Sequence, residues 1–159
     1  MSHMGATEDA ASGRPVGSGG TRLHREPSPR AAENAELVRR IFDAFARKQG
    51  FALRGVFAED ATWIVPGDSA MAGTFHGRDR IFRFLATLPK ETDGSYGSQL
   101  IDILVSDERA AALYRATGQR RGRALDLDQL LLFRIENGLV KEVLALPSNP
   151  SAFEEFWAP

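Results

Sequence analysis

The sequence predicts an α+β fold in which helices come first and an antiparallel sheet follows. Apolar residues recur at helical spacing between Leu37 and Phe45, which is typical of an amphipathic helix. The segment from Gly122 to Leu146 reads instead as two long strands joined by Asn137-Gly138. An Asn-Gly pair favours a two-residue hairpin turn because both residues tolerate positive φ. Strands do not alternate with helices, so βαβ units are not predicted.

Length and composition limit the classes of function. The chain has 159 residues, 43% of them hydrophobic, which suits one globular domain with a core. A net charge of -1 gives no electrostatic case for nucleic acid or an anionic membrane. The chain has no cysteine, which excludes disulfides and thiolate chemistry. No apolar run approaches the roughly 18 residues of a membrane span, and no signal peptide is present, so we expect a cytoplasmic protein.

Residues 1–27 are predicted to be a tag and a disordered tail, and residues 28–159 to be a single domain. The first four residues, MSHM, are typical of a cloning remnant. Residues 17–20 have the Gly/Ser composition of a flexible linker. We assign no function to this region, which contains two of the three histidines, His3 and His24.

Three helices are predicted before the hairpin. The first begins near Ser28, because Ser suits the N-cap and Pro29 suits the first helical position. A short helix follows between Phe51 and Ala58. The third runs from about Arg78 to Leu88, and Pro89 is expected to end it because proline cannot donate the next helical hydrogen bond.

Four strands are predicted before the hairpin, and a final helical turn begins at Asn149-Pro150 after it. The first strand is rich in β-branched and aromatic residues, which fit a pleated, half-buried surface. The four segments are Ala61–Val65, Gly73–Phe75, Tyr96–Val105 and Arg109–Gln119.

The first hairpin strand has two unlike faces, because alternate residues point to opposite sides of a sheet. One face carries Leu125, Leu127, Gln129, Leu131, Phe133 and Ile135, and the other carries Asp126, Asp128, Leu130, Leu132 and Arg134. The centre is apolar on both faces, so we expect cover on both sides. The two-residue loop predicts that Glu136 lies opposite Leu139, Leu132 opposite Val143, and Leu130 opposite Ala145.

Three segments of the chain resemble a known superfamily. They are Phe57–Trp63 (FAEDATW), Gly73–Asp79 (GTFHGRD) and Phe133–Val143 (FRIENGLVKEV). In these segments, and in the order of its elements, the chain resembles the nuclear transport factor 2-like, or SnoaL-like, proteins. That group includes ketosteroid isomerases, polyketide cyclases and limonene-type epoxide hydrolases. The resemblance covers about residues 30 to 157.

The resemblance implies a cone-shaped, cystatin-like α+β barrel. A curved antiparallel sheet would wrap around a hydrophobic pocket, with N-terminal helices covering one side. It also implies a homodimer formed through the outer face of the sheet. The superfamily hosts unrelated chemistries, so the fold alone does not define the reaction.

Asp126 and Asp128 are the first candidate catalytic residues. The run Ala124–Leu127 resembles the isomerase strand that carries a protonated oxyanion-hole aspartate, whose pKa is raised by an apolar site. The resemblance therefore implies a pocket role for Asp126; the alternative is a carboxylate in water at the end of a strand. Asp128 shares its face, about 7 Å along the strand. One carboxyl group would act as acid and the other as base.

Other parts of these relatives' machinery are missing. The resemblance places Val65 where the isomerase has its general-base aspartate. The epoxide hydrolases need a carboxylate on the last strand, and Leu144–Pro147 offers none. Neither mechanism is therefore predicted.

The remaining candidates surround the expected pocket. His76 is either a general base at the pocket mouth or a structural residue before a helix. Of Tyr114 and Arg115, only one can point inward, and the sequence does not decide which. The expected ligand-binding residues are Trp63, Val65, Tyr114, Arg115, Leu130 and Leu132. No metal site or cofactor is predicted, because one histidine and scattered carboxylates lack ligand spacing.

We expect an enzyme that binds a hydrophobic small molecule, such as a polyketide-like or terpenoid-like intermediate. It would catalyse cyclisation, isomerisation or dehydration by acid/base chemistry without a cofactor. The alternative, which the missing isomerase base favours, is a binding or sensing protein without catalysis. A third possibility is a dimerisation module that uses the outer sheet face.

Overall fold

The structure, a computed structural model, describes residues 26–159. The predicted tag and tail lie outside the described residues except for Glu26 and Pro27. Three α-helices and six strands make up most of the described chain. The helices are α1 (Pro29–Ala46), α2 (Arg78–Glu91) and α3 (Pro150–Trp157), with a 3-10 helix at Gly50–Val56. The strands are β1 (Phe57–Val65), β2 (Gly73–His76), β3 (Gly97–Val105), β4 (Arg109–Arg120), β5 (Arg123–Glu136) and β6 (Leu139–Pro147).

The six strands form one curved, unclosed sheet in the order β2-β1-β6-β5-β4-β3. This arrangement confirms the α+β class. Neighbouring strands are antiparallel except for β1 and β6, which are parallel. A parallel pair is possible here because β1 and β6 are far apart in the chain, and α2 and four strands intervene between them. The sheet is therefore mixed rather than wholly antiparallel.

Local sequence signals define the N-terminal ends of α1 and α3. The Ser28 hydroxyl accepts a hydrogen bond from the Ala31 amide at 3.0 Å, and the Asn149 side chain accepts one from the Ala152 amide at 3.1 Å. Each cap satisfies an amide that the helix itself leaves unpaired. The predicted helix starts at these two positions are confirmed.

The prediction that Pro89 ends its helix is wrong, because α2 continues to Glu91. Proline removes one helical hydrogen bond, and in the last turn few further bonds depend on it. The carbonyls that α2 leaves free there find other donors. The Thr92 hydroxyl donates to the Leu88 carbonyl at 2.7 Å, and the Gly94 amide donates to the Pro89 carbonyl at 2.8 Å.

The predicted hairpin register holds only beside the turn. Glu136 lies opposite Leu139, but Leu132 lies opposite Leu144 and Leu130 opposite Leu146, so the predicted partners Val143 and Ala145 are each wrong by one residue. The shift is a β-bulge: Ile135 pairs with Val140 and Arg134 with Glu142, which leaves Lys141 as an extra residue. The Lys141 ammonium donates to the Asp60 carboxylate at 3.0 Å.

The core lies between the concave face of the sheet and the helices α1 and α2. Phe42 of α1 packs against Tyr114 of β4, with 5.2 Å between ring centroids. Phe84 of α2 packs against Phe75 of β2 at 4.2 Å. The helices therefore cover the concave face, as the resemblance implied.

Asn34 fastens α1 to the turn between β3 and β4. It is buried, and its Nδ2 atom donates hydrogen bonds to the carbonyls of Ser106 and Asp107 at 3.0 and 3.1 Å. Asn34 is the one buried polar residue of α1, and these two bonds satisfy both donors of its Nδ2 amino group. Sequence periodicity did not single it out.

We expect the substitution Asn34→Ala to lower the free energy of unfolding by about 2 kcal/mol. Two hydrogen bonds are lost, and the carbonyls of Ser106 and Asp107 are left without this donor. Urea unfolding followed by circular dichroism measures the change. The control Glu33→Ala, at an exposed neighbour on the same helix, is expected to shift stability by no more than about 0.5 kcal/mol. Equal effects for the two variants would contradict this role.

Candidate functional site

The face of β5 that was expected to point into the pocket points outward, and the other face points inward. The face that carries Gln129 and Phe133 is buried against the core. The face that carries the carboxylates is the outer one, where the side chains of Asp126 and Asp128 are 64% and 43% exposed. The prediction that these two carboxylates face the interior is therefore wrong. Both faces are apolar at the strand centre, so alternation alone could not identify the inner one.

Asp126 and Asp128 form a surface ion-pair cluster with Arg115 of the neighbouring strand. The Arg115 Nε donates to Asp126 Oδ1 at 2.6 Å, and its Nη1 donates to Asp128 Oδ1 at 3.1 Å. The hydrogen bond from Arg115 holds the pKa of Asp126 below its ordinary value. A carboxyl group in this setting stays ionised, whereas an oxyanion-hole acid must stay protonated.

The inner face of the sheet contains three of the six predicted ligand-binding residues. Trp63, Val65 and Tyr114 are all buried there. Arg115 lies on the outer face, and this resolves the open choice: Tyr114 points inward. Leu130 and Leu132 also lie on the outer face, beside Asp128, and do not line the interior.

Tyr114 and Gln129 form a polar pair inside the apolar interior. They lie directly opposite each other on β4 and β5, and each is 4% exposed. The Tyr114 hydroxyl donates to Gln129 Oε1 at 2.6 Å. The Nε2 atom of Gln129 is buried and has no hydrogen-bond partner among the described residues. A buried donor left in this state costs about 1–3 kcal/mol.

Two further groups extend the polar character of the interior. Part of Tyr96 reaches the surface, but its hydroxyl is buried beside Tyr114. Burial raises the pKa of Tyr96 and raises that of Tyr114 further, so both phenols are neutral donors at physiological pH. The indole Nε1 of Trp63 is buried and, like Gln129 Nε2, lacks a partner within the described chain.

His76 lies away from this interior. It is exposed at the end of β2, and its Nδ1 atom is 3.3 Å from the Thr62 hydroxyl. It lines a surface cleft of about 350 Å³ with Arg54, Arg78 and neighbouring residues of α2. A larger open cleft of about 1030 Å³ runs along α1 and is lined by charged groups such as Arg40 and Glu136. Neither cleft contains Tyr114 or Gln129.

Sequence reasoning missed Gln129 and Tyr96 as candidate site residues. Gln129 had one visible signal, because it is the single polar residue on its face of β5 between Leu125 and Ile135. Tyr96 had none, since its inward orientation depends on how β3 pairs with β4. Within residues 26–159, no group of three or more His, Asp or Glu side chains is placed to hold a metal ion, and no helix is long and apolar enough to cross a bilayer.

Comparisons with known proteins agree with this architecture. Residues 38–143 match the family model of the SnoaL-like domain, and the chain belongs to that family. The uncharacterized protein Rv0034 of Mycobacterium tuberculosis is 36% identical over 124 residues, which cover 77% of this chain and 95% of that protein.

Two solved structures show the same fold. Bal32a, from a soil-derived mobile gene cassette, is 35% identical with a TM-score of 0.78, and the match covers 80% of this chain and 98% of Bal32a. A putative SnoaL-like polyketide cyclase from Jannaschia sp. CCS1 is 19% identical with a TM-score of 0.71, covering 86% and 99% of the two chains. At that identity the second comparison shows the fold alone.

The chain has only two tyrosines, and both phenols are buried. We expect no phenolate absorbance at 295 nm to develop near pH 10, where an exposed tyrosine titrates. Because folding raises both pKa values, the folded state retains protons that the unfolded state loses. Stability therefore falls as the pH rises above about 10. Absorbance and circular dichroism should change together at higher pH. A tyrosine that titrates near pH 10 in the folded protein would contradict this arrangement.

Proposed function

We propose that the protein binds a largely apolar small molecule on the concave face of its sheet, where Gln129 donates a hydrogen bond to an acceptor oxygen of the ligand. The unpartnered Nε2 atom of Gln129 carries this proposal. Tyr114 occupies the Oε1 atom and so orients the amide, which leaves the amino group directed at the rest of the interior. A carbonyl or hydroxyl oxygen of the ligand would accept the hydrogen bond that Gln129 Nε2 has available.

The character of the surrounding residues supports a neutral ligand. The inner face around the pair is aromatic or aliphatic, and its donors are the uncharged Gln129, Trp63 and tyrosine groups. A carboxylate brought into such a site would lose its hydration without gaining a cation. Family membership and the structural neighbour described as a putative SnoaL-like polyketide cyclase favour a polyketide-like compound. A terpenoid-like compound would share its apolar character.

Catalysis without a cofactor is the second candidate, and the position of Tyr114 favours it. A phenol whose pKa is raised stays protonated, so Tyr114 keeps its hydrogen bond to Gln129 Oε1. The free Nε2 donor of Gln129 is thereby held in place for an oxyanion that would develop in cyclisation, isomerisation or dehydration. The acid/base roles expected for Asp126, Asp128 and His76 do not form part of this proposal, because those side chains lie outside the interior.

A matched pair of probes tests the role of Gln129. The ketone 1-tetralone and the hydrocarbon tetralin have the same bicyclic skeleton and differ in one oxygen. We expect the protein to bind 1-tetralone about tenfold more tightly, since one hydrogen bond to a buried donor contributes about 1.4 kcal/mol. In Gln129→Leu that preference is expected to disappear while tetralin still binds. Tryptophan fluorescence titration measures both dissociation constants.

The control for this experiment is Gln119→Leu, which makes the same change at an exposed position of β4. It is expected to keep the preference for the ketone. Equal affinities of the wild-type protein for the two probes would refute the role of Gln129, and a lack of binding by either probe would refute the interior site.

We also propose that two copies of the chain associate through the outer sheet face. An apolar strip crosses this face, and its members are Leu104, Leu113, Leu130, Leu132, Leu144 and Leu146. Leu104 is 61% exposed and Leu146 is 37% exposed. Such a contiguous apolar surface, bordered by charged residues, is typical of a protein–protein interface.

Charged residues at both ends of the strip can be matched by a second copy. At one end, Arg115 pairs with Asp126 and Asp128. At the other end, Arg134 pairs with Glu136, and Arg109 and Glu142 lie beside it. A two-fold axis in the interface brings the apolar strip of one copy against that of its partner and lets charges of both signs meet around it.

We expect the double variant Leu104→Arg/Leu146→Arg to be a monomer, because a dimer would bury two unpaired cations in each copy. Light scattering after size-exclusion chromatography is expected to give twice the chain mass for the wild type and one chain mass for the variant. Phe51→Arg is the control, since Phe51 is an exposed apolar residue outside the sheet. A wild-type monomer at micromolar concentration would contradict the proposal.

A further inference from the structure

Helix α3 covers the end of the concave face where β4 ends and β5 begins. It contributes Phe156 and Trp157, which are almost completely buried. The Trp157 ring lies 6.3 Å from the Tyr96 ring, and the Tyr96 hydroxyl lies beside that of Tyr114. Tyr96 therefore stands between α3 and the pair formed by Tyr114 and Gln129. A ligand that reaches Gln129 from this end must pass the site that Trp157 occupies.

Two arginines from the β4–β5 hairpin hold the C-terminal end of α3. Arg120 donates to the Ala158 carbonyl at 2.7 Å, and its guanidinium lies 5.9 Å from the centre of the Trp157 ring. Arg123 donates to the carbonyls of Glu155 and Ala158 at 3.0 and 2.8 Å. Positive charge at this end also complements the helix dipole.

Apart from its buried aromatic residues and these two arginines, α3 has few attachments to the rest of the protein. The helix has eight residues, fewer than an isolated helix needs to be stable in water. On its other side, Glu154 accepts a hydrogen bond from the Asp68 amide at 3.2 Å. Its position therefore depends on the aromatic contacts and on the two arginines. A segment held in this way can open as a unit while the sheet stays folded.

We infer that α3 is the gate of the interior site, which means that it moves aside when a ligand enters or leaves. The hydrogen bonds from Arg123 hold it closed. The inference rests on the proposed function, because only a ligand inside the sheet needs a passage. Trp63, Tyr114 and Gln129 are each 4% exposed, so the closed interior admits a ligand only when a covering element moves. Arg123 controls that movement without touching the ligand.

Arg123 is a better test position than Arg120. The Arg120 side chain is 8% exposed and packs on Trp157, so its loss would disturb the core. Arg123 is half-buried at the rim, and its loss removes mainly the hydrogen bonds to α3. Arg121 provides the matched control: it lies in the same turn, is exposed and makes no hydrogen bond to α3.

Stopped-flow fluorescence with 1-tetralone tests the role of Arg123 in holding α3 closed. In Arg123→Ala we expect the association and dissociation rate constants both to rise about tenfold, with the dissociation constant unchanged within about twofold, since a looser gate speeds passage in both directions. Arg121→Ala is expected to leave both rate constants unchanged. Unchanged rates in Arg123→Ala, or a weaker affinity alone, would overturn the inference.

Hydrogen exchange separates the gate from the binding site. We expect the amides of α3 in Arg123→Ala to exchange about tenfold faster than in the wild type, while those of β5 do not change. If the exchange rates of α3 and β5 amides rise by the same factor, α3 opens only when the whole protein unfolds, and the gate is overturned. If 1-tetralone does not bind the wild-type protein, the proposed function fails and the gate fails with it. If 1-tetralone binds and α3 exchange is unchanged in Arg123→Ala, the gate alone is overturned.

Discussion

The pairing of β4 with β5 is the constraint on which both surfaces of the sheet depend. It places Tyr114 opposite Gln129 on the concave face and Arg115 opposite Asp128 on the outer face. A shift of one residue on either strand would reverse its two faces. On β4 that shift would bring the Arg115 guanidinium into the apolar interior without its carboxylates, which costs several kcal/mol. The buried neutral pair and the exposed ion pairs therefore specify the same register.

Features of the fold that depend on adjacent residues were predictable from the sequence. Ser28 and Asn149 begin helices because their side chains bond to amides three residues further on. Asn137-Gly138 makes a turn because both residues adopt positive φ, 50° and 73°. The bulge at Lys141 was not predictable in this way. Its ammonium reaches Asp60 on β1, and no local pattern reveals that this strand will lie beside β6.

The site was less predictable than the fold, because its residues are defined by tertiary structure. Tyr114 and Arg115 are equally compatible with an inward position until the partner strands are known. The resemblance directed attention to Asp126, yet membership of a family that hosts many chemistries does not transfer individual residues. The polar group that is buried beside Tyr114 is the amide of Gln129, which stays neutral at any pH that the fold tolerates. Its unpartnered donor became visible only once Tyr114 was placed.

The parallel pairing of β1 with β6 also governs the order in which the protein can fold. Trp63 lies beside Val143, so contacts between these two strands close a loop that includes α2 and four strands. Closing a loop of that length is slow, whereas β3 to β6 join through short turns. During synthesis β1 emerges long before β6, and its apolar side chains have only β2 and α2 for cover. Of the paired strands, β1 and β6 therefore have the longest delay between their syntheses, and β1 contributes Trp63 and Val65 to the interior.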